Sequence, residues 1–324
     1  MLEYFLQQGV NALSAGSLYA MMAVGLALIF SILRLINFAH GDVMMVAVYL
    51  FVFAGFAGLP VPAALFVMIA GTILIGLAME RVAYRPLRGG PEVALLLSSF
   101  AVGQILQNSA LLISRLDQQP VQIAFPAPEI LAGAVRLGPI LVPRLNIASF
   151  VIGTVLLVLL TLFVTRTRLG LSMQALAEDL TAARLMGIRV DRVVIVAFAI
   201  ASALAAVAGF LYASQAGQIN PFLGFTPVLK AFIAAVIGGF GSLFGAVVGA
   251  YVLAFLEIIP TALAGIADIM PAGTVPPGVH DLLAQLLPSS LSSWRDAIVF
   301  VFLILMLLFR PQGILRGRAR EETP

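Results

Sequence analysis

The chain has 324 residues, 61% of them hydrophobic and only 10% charged, and carries a net charge of +3. With a mean hydropathy of +1.09 it lies far from soluble globular composition. It reads as one all-α, polytopic integral membrane domain over residues 1–324. Zero cysteines exclude disulfides, thiolate metal sites and cysteine nucleophiles. The basic balance calls for no nucleic acid: basic loops are what membrane topology demands, and no aromatic-interleaved basic patch is present.

A bilayer core of roughly 30 Å needs about 20 apolar residues per helix. Charge-free windows of that size run from Tyr4 to Leu33, Val43 to Met79, Val93 to Ser114, Leu145 to Thr165, Val193 to Leu229 and Ala231 to Leu256. The first is too long for the core of a signal peptide and lacks a basic leader, so it is expected to be retained. Arg81, Arg85 and Arg88 share one short loop, five arginines lie between Arg166 and Arg192, and Arg310, Arg316, Arg318 and Arg320 crowd the tail. These twelve of the eighteen basic residues are expected to face the cytoplasm. The proline-rich loops 116–146 and 268–293 then fall on the opposite side. Spans are expected near 10–33, 43–58, 62–79, 93–115, 147–165, 193–213 and 294–310, with one or two more in 227–265. That makes eight or nine crossings, allows broken or re-entrant helices among them, and leaves the side of the N-terminus open.

The first polar interruption in chain order is Asn37-Phe38-Ala39-His40-Gly41-Asp42. Two readings stand side by side. In one it is a solvated cytoplasmic turn, with Asp42 favouring the start of the next helix through its dipole. In the other it is a helix break whose freed backbone groups line a cavity, which makes Asn37, His40 and Asp42 candidates for the translocation path.

The polar island from Arg166 to Arg192 follows. Leu169 to Met186 reads as one amphipathic helix with Leu169, Met173, Leu176 and Leu180 on a single face. Gly187 supplies the left-handed stop and Ile188 packs back on it. Such a helix between spans has to bury its apolar face on the bilayer interface or on a docked protein.

Gly238-Gly239-Phe240-Gly241-Ser242 interrupts the next apolar run. Each glycine weakens a helix by about 1 kcal/mol. Close helix packing accounts for Gly238, Gly239 and Gly241, and so does a broken helix beside a pathway that includes Ser242. Gly16-Ser17-Leu18-Tyr19 and Gly241-Ser242-Leu243-Phe244 echo one another and read as openings of two small-residue helices.

Catalysis finds little support. His40 and His280 are the only histidines, and no HExxH, GxSxG or paired-acid pattern occurs. No phosphate-cradling GxxxxGK[ST] is present; Lys230 follows Gly224 without the adjacent glycine. No catalytic, metal or cofactor-binding residue is expected in this chain. Except for Glu257, ionisable residues are absent from deep positions in most spans, which fits ATP drive better than proton coupling.

Residues 16–50, "GSLYAMMAVGLALIFSILRLINFAHGDVMMVAVYL", resemble the N-terminal signature of branched-chain amino acid ABC transporter permeases of the LivH type. The similarity continues at "ALAEDLTAARLMGIRVDRV", "KAFIAAVIGGFGSLFGAVVGAYVLAFLE" and "FRPQGILRG". This resemblance implies a multi-pass permease subunit of the bacterial inner membrane. Its implied partners are a related second permease, two cytoplasmic ATPases that bind the ATP, and a periplasmic substrate-binding protein. The resemblance also gives the island a role, because Thr181-Ala182-Ala183 followed by Gly187 is similar to the EAA---G coupling loop of ABC importers. Thr181 replaces the usual glutamate, and Glu178 and Asp179 are the acids positioned to stand in. Leu176, Glu178, Asp179, Leu180, Ala182, Ala183 and Gly187 are therefore the expected ATPase-coupling residues. Permeases for urea or short amides share "NFAHGD" and remain an alternative, as does a stand-alone channel or secondary carrier.

Overall fold

The computed structural model describes residues 2–138, 140–264 and 293–315. In chain order its helices are α1 (Leu2–Leu33), α2 (His40–Phe56), α3 (Val61–Met79) and α4 (Glu92–Leu116). Then come α5 (Arg144–Arg166), α6 (Arg168–Glu178), α7 (Leu180–Leu185), α8 (Val190–Ala216), α9 (Phe225–Gly238), α10 (Leu243–Ala264) and α11 (Arg295–Phe309). Six of these, α1, α3, α4, α5, α8 and α10, are long and apolar enough to cross a bilayer. Helices α2 and α9 are apolar but shorter. The expected 227–265 region thus holds two helices, and every other expected span coincides with one.

Helix α1 is the axis. Its most apolar window is 83% buried, against 22% for α3 and 17% for α4. It packs against α5, α8, α9 and α10, and the reason is its small residues. Ala12, Gly16, Ala20, Ala23 and Ala27 leave no bulk on the inward faces. In a bilayer lipid tails compete with apolar side chains for contact, so close backbone approach carries helix association. The echo at Gly16 therefore does not open a helix. Gly16 lies within α1 under the ring of Tyr251, whose hydroxyl is 3.0 Å from Ser17 Oγ.

The two faces of the molecule separate as the charges require. Arg88 Nη1 reaches Asp191 Oδ1 at 2.7 Å, and Arg88 also pairs with the buried Glu80. This places the 80–88 turn and the start of α8 on one face. On the other face β1 (Ile123–Ala124) pairs antiparallel with β4 (Gln218–Ile219). Nearby, β2 (Ala134–Leu137) and β3 (Ile140–Pro143) form a hairpin. The 116–146 loop is thus a small β structure over the end of the bundle. The 268–292 stretch, with His280, and Arg316, Arg318 and Arg320 lie outside the described residues.

Helices α2 and α9 start inside the bundle. At about 1.5 Å per residue, 17 and 14 residues rise only about 25 Å and about 21 Å, less than a hydrocarbon core of roughly 30 Å. Their N-termini meet, and a Cβ on Gly41 would run into the Gly224 carbonyl and one on Gly224 into that of Gly41. The other end of α9 is built the same way. Gly238 lies on the Gly245 carbonyl, and Gly249 on that of Ala234.

The glycine cluster both packs closely and breaks the helix. Gly238 is a packing glycine, whereas Gly239 (φ +108°) and Gly241 (φ +92°) make the break between α9 and α10. The Gly245 N–H donates to Ser242 Oγ at 3.0 Å, so Ser242 caps α10. The tail then returns: the Ile314 and Leu315 N–H groups donate to the Ile237 and Gly238 carbonyls at 2.9 and 3.1 Å. Those are carbonyls at the end of α9 that have no partner within the helix.

Replacing Gly238 or Gly249 with alanine should sharply lower the yield and thermal stability of the purified protein. Gly9→Ala meets open space and should leave both unchanged or raise stability by about 1 kcal/mol. Thermal unfolding in detergent would check this.

Candidate functional site

The Asn37–Asp42 hexapeptide is not a solvated turn. The chain leaves α1 at Arg34 through left-handed backbone (φ +55°) and runs back into the bundle. Asn37 and His40 are fully buried. The Tyr84 hydroxyl donates to Asn37 Oδ1 at 2.7 Å, and the His40 ring lies against Gly25 of α1. Asn37 Nδ2 and His40 Nε2 have no hydrogen-bond partner. These two side chains face the interior of the subunit. Only Asp42 turns towards an outer helix, α4.

Asp42 Oδ1 accepts a hydrogen bond from Gln107 Nε2 at 2.8 Å, and its Oδ2 fills the space left by Gly103. Gly103 stands near the midpoint of the 25-residue α4, so this carboxylate is deep in the span. The side-chain bonds continue outward with Gln104 Nε2 donating to Gln107 Oε1 at 3.3 Å, and next to them Asn108 Nδ2 donates to the main-chain carbonyl of Gln104 at 2.7 Å. Gln104 and Asn108 are exposed on the outer face of the helix. Below them runs a stripe of rings. Phe38 stacks on Phe100 at 4.9 Å and touches Phe232 at 5.7 Å; Phe232 touches Phe240 at 5.4 Å, and Phe240 touches Phe30 at 4.4 Å. The stripe links the middle of α4 to the Gly239–Ser242 break.

A second polar cluster lies in the core. Lys230 of α9 pairs with Glu257 of α10 at 2.8 Å. The Tyr19 hydroxyl donates to Glu257 Oε2 at 2.8 Å and accepts from Lys230 Nζ at 3.0 Å. Glu257 is therefore a paired core acid. Lys230, which separates two apolar windows in the sequence, is inside the bundle and not at its edge. Above the pair opens a cavity of about 330 Å³ lined by Asn11, Ser14, Asn146, Gln215, Glu257 and Arg295, among others.

The island differs from its expected form in one respect. It is two helices, not one, because the backbone turns extended at Asp179 (φ −152°), whose side chain accepts from the Thr181 and Ala182 N–H groups at 2.8 and 2.9 Å. An aspartate offers the new helix a cap that competes with continuing the old one. The stop at Gly187 (φ +81°) is as expected. The Ile188 N–H reaches the Ala183 carbonyl at 3.1 Å and the Gly187 N–H that of Arg184 at 3.0 Å, the two bonds of a Schellman ending.

The apolar face is spent within the chain. Met173 and Leu176 are each 2% exposed, packed in the core cluster that includes Leu157, Leu160 and Val164 of α5, and Ala183 is buried as well. Leu180 and Asp179 are half-buried, while Glu178, Ala182 and Gly187 are exposed. The outward knobs are instead Leu185 and Met186, at 84% and 83% exposure. Sequence periodicity passes over them because they lie off the apolar stripe. It also passes over Gln104, Gln107 and Asn108, whose three- and four-residue spacings mark one helix face within a window noted only as charge-free.

These features define an α-helical, multi-pass membrane protein with broken helices in the bundle and a polar helix pair at one face. The chain belongs to the family described as branched-chain amino acid transport system / permease component, whose model matches residues 9–308. It is 36% identical to the high-affinity branched-chain amino acid transport system permease protein BraD of Pseudomonas aeruginosa, over 98% of each chain. It is 32% identical to the corresponding LivH proteins of Salmonella typhimurium and Escherichia coli K12, over 98% of this chain and 97% of each relative.

Glu257→Gln should strand the Lys230 charge in the core and lower stability by about 3–5 kcal/mol. The double variant Lys230→Met, Glu257→Gln should recover most of that loss. Comparing the thermal stability of the single and double variants in detergent measures the coupling.

Proposed function

We propose that this chain is a permease subunit of an ATP-driven importer that carries branched-chain amino acids inward across the bacterial inner membrane. The observation that carries this reading is the near full-length similarity to branched-chain permeases on both sides of the alignment. The chain's own geometry supports it. The sequence has no phosphate-binding loop, so energy enters through partners: two cytoplasmic ATPases that bind the ATP. A second homologous permease completes the route, and a periplasmic binding protein delivers substrate to the face that carries the β hairpin. The chain itself holds no cofactor and performs no catalysis.

The coupling surface is the α6–α7 pair. Leu185 and Met186 project from its tip and are suited to a groove on an ATPase, with Glu178, Ala182 and Gly187 beside them. Leu176, Leu180 and Ala183 act from beneath, seating the pair on α5 and α8. Two connections lead inward from it. One is the packing of α6 on α5, α1 and α8. The other is the ion network in which Asp191 accepts from Arg85 at 2.5 Å and from Arg88 at 2.7 Å. Arg88 continues this network to Glu80, in a π-helical turn that ends α3, so a push on the pair tilts α3 and α4 together with α8. Two-state rocking of packed helices then alternates access.

Two outcomes are expected. Cells carrying the gene with its partner subunits should take up labelled leucine faster than cells lacking it; uptake of labelled urea or acetamide alone would assign the amide alternative. In the purified complex Leu185→Asp and Met186→Asp should leave assembly intact while uncoupling ATP hydrolysis from uptake. Leu176→Asp should instead lower the yield of folded protein, since it buries an unpaired charge. Normal coupled uptake in both tip variants would refute the role of the tip.

A further inference from the structure

We propose that Asp42, presented through Gln107 to the Gln104–Asn108 face of α4, receives the ammonium group of a zwitterionic substrate, whose aliphatic side chain lies on the Phe100–Phe38–Phe232 stripe. This rests on the importer reading and names the polar contact within it.

The argument begins with the cost of the observed exposure. A primary amide facing hydrocarbon without partners loses several kcal/mol. Gln104 and Asn108 are nevertheless exposed near the middle of α4, one turn apart, so this face does not meet lipid tails. Water or a protein surface lies against it. The amides are not isolated: Gln104 donates to Gln107, which donates to Asp42 Oδ1, and Asn108 donates to the Gln104 main-chain carbonyl beside them.

Asp42 is a buried acid at a helix start. It belongs to the first turn of α2, whose unpaired N–H groups favour negative charge. The start of α9 is equally close, since a Cβ on Gly224 would meet the Asp42 backbone nitrogen at 2.9 Å. Among the described residues no lysine or arginine pairs with Asp42: the ion pairs involve Glu80, Asp191, Glu257 and Asp296 instead. A carboxylate at mid-span without a cationic partner, bonded through amides to an exposed face, suits a cation that arrives and leaves.

The stripe supplies the second half of the recognition. Phe100 is 48% exposed and stacks on the half-buried Phe38. It provides apolar surface directly beside a negative group, as a leucine-like solute with one charged head and one branched tail requires. The stripe runs on through Phe232 and Phe240 to the glycine break on the cytoplasmic side, so a solute released from Asp42 keeps apolar contact as it moves. A purely structural acid at the start of α2 would need neither the amides nor the rings.

The test uses charge. The chain has no cysteine, so Asn108→Cys and Gln104→Cys each place one thiol on this face of the assembled complex in lipid nanodiscs. Modification rates are measured with 2-aminoethyl and 2-sulfonatoethyl methanethiosulfonate, and each is divided by the reagent's rate with a free thiol. The cationic reagent should be favoured by about tenfold, the size expected for one anion nearby in a partly screened site. Asp42→Asn should abolish that preference, and Asp42→Glu should keep it. A preference unchanged by Asp42→Asn, or thiols inaccessible to both reagents as in a sealed interface, overturns the proposal.

If Asp42→Asn does not assemble, protection decides in the Asn108→Cys protein. Isoamylamine should slow its modification several-fold and 4-methylpentanoate should not; equal effects overturn the proposal. These rates do not depend on which solute the complex imports. A failure of leucine uptake with a charge preference intact would therefore count against the importer reading alone.

Discussion

The contact of two helix starts inside the bundle, Gly41 of α2 on Gly224 of α9, is the constraint on which the rest of the structure depends. Hydrocarbon cannot satisfy free backbone groups, so chain that breaks its helix within the bilayer has to be covered by protein. Here the cover is backbone on backbone. The same solution recurs where Gly238 meets Gly245 at the far end of α9 and where the returning tail caps its last carbonyls. Because α2 starts at depth, the Asn37–Asp42 segment is drawn into the subunit, and Asp42 arrives opposite the midpoint of α4. The short α9 also carries Lys230 to Glu257 and Tyr19, a pairing that the apolar surroundings make obligatory.

From that core the function follows outward. Helix α1 holds the bundle, while the outer helices α3, α4 and α5 keep most of their surface free for lipid or partner subunits. The α6–α7 pair stands on α5 and α8, and the Arg85–Asp191–Arg88–Glu80 network ties the start of α8 to the α3–α4 turn. The polar cavity beside Glu257 belongs to the other end of the molecule, where the Lys230–Glu257 pair closes its floor.

Much of this was legible in the sequence, and the misses have physical causes. The spans, the paired basic loops and the Gly187 stop follow from hydropathy, charge and φ preference, which are local properties. The break at Asp179 was hidden because aspartate serves a helix interior poorly and a cap well, and only the three-dimensional seating of α6 on α5 selects the cap. Leu176 was assigned to an outside partner because periodicity gives a buried face without saying what buries it. Lys230 looked like a boundary between two windows; its partner is twenty-seven residues away, at Glu257. Asn37 and His40 read as path candidates by polarity, yet they turn inward, and the polar face of α4 was passed over because uncharged amides do not interrupt a hydropathy window.

The most direct measurement of the account is leucine accumulation in proteoliposomes that contain the complete complex and its binding protein, with ATP confined to the ATPase side. The account predicts accumulation above the external concentration that stops when the ATP is withheld. Leucine equilibration at the same rate without ATP, down its gradient and no further, would contradict it and point to a channel or carrier.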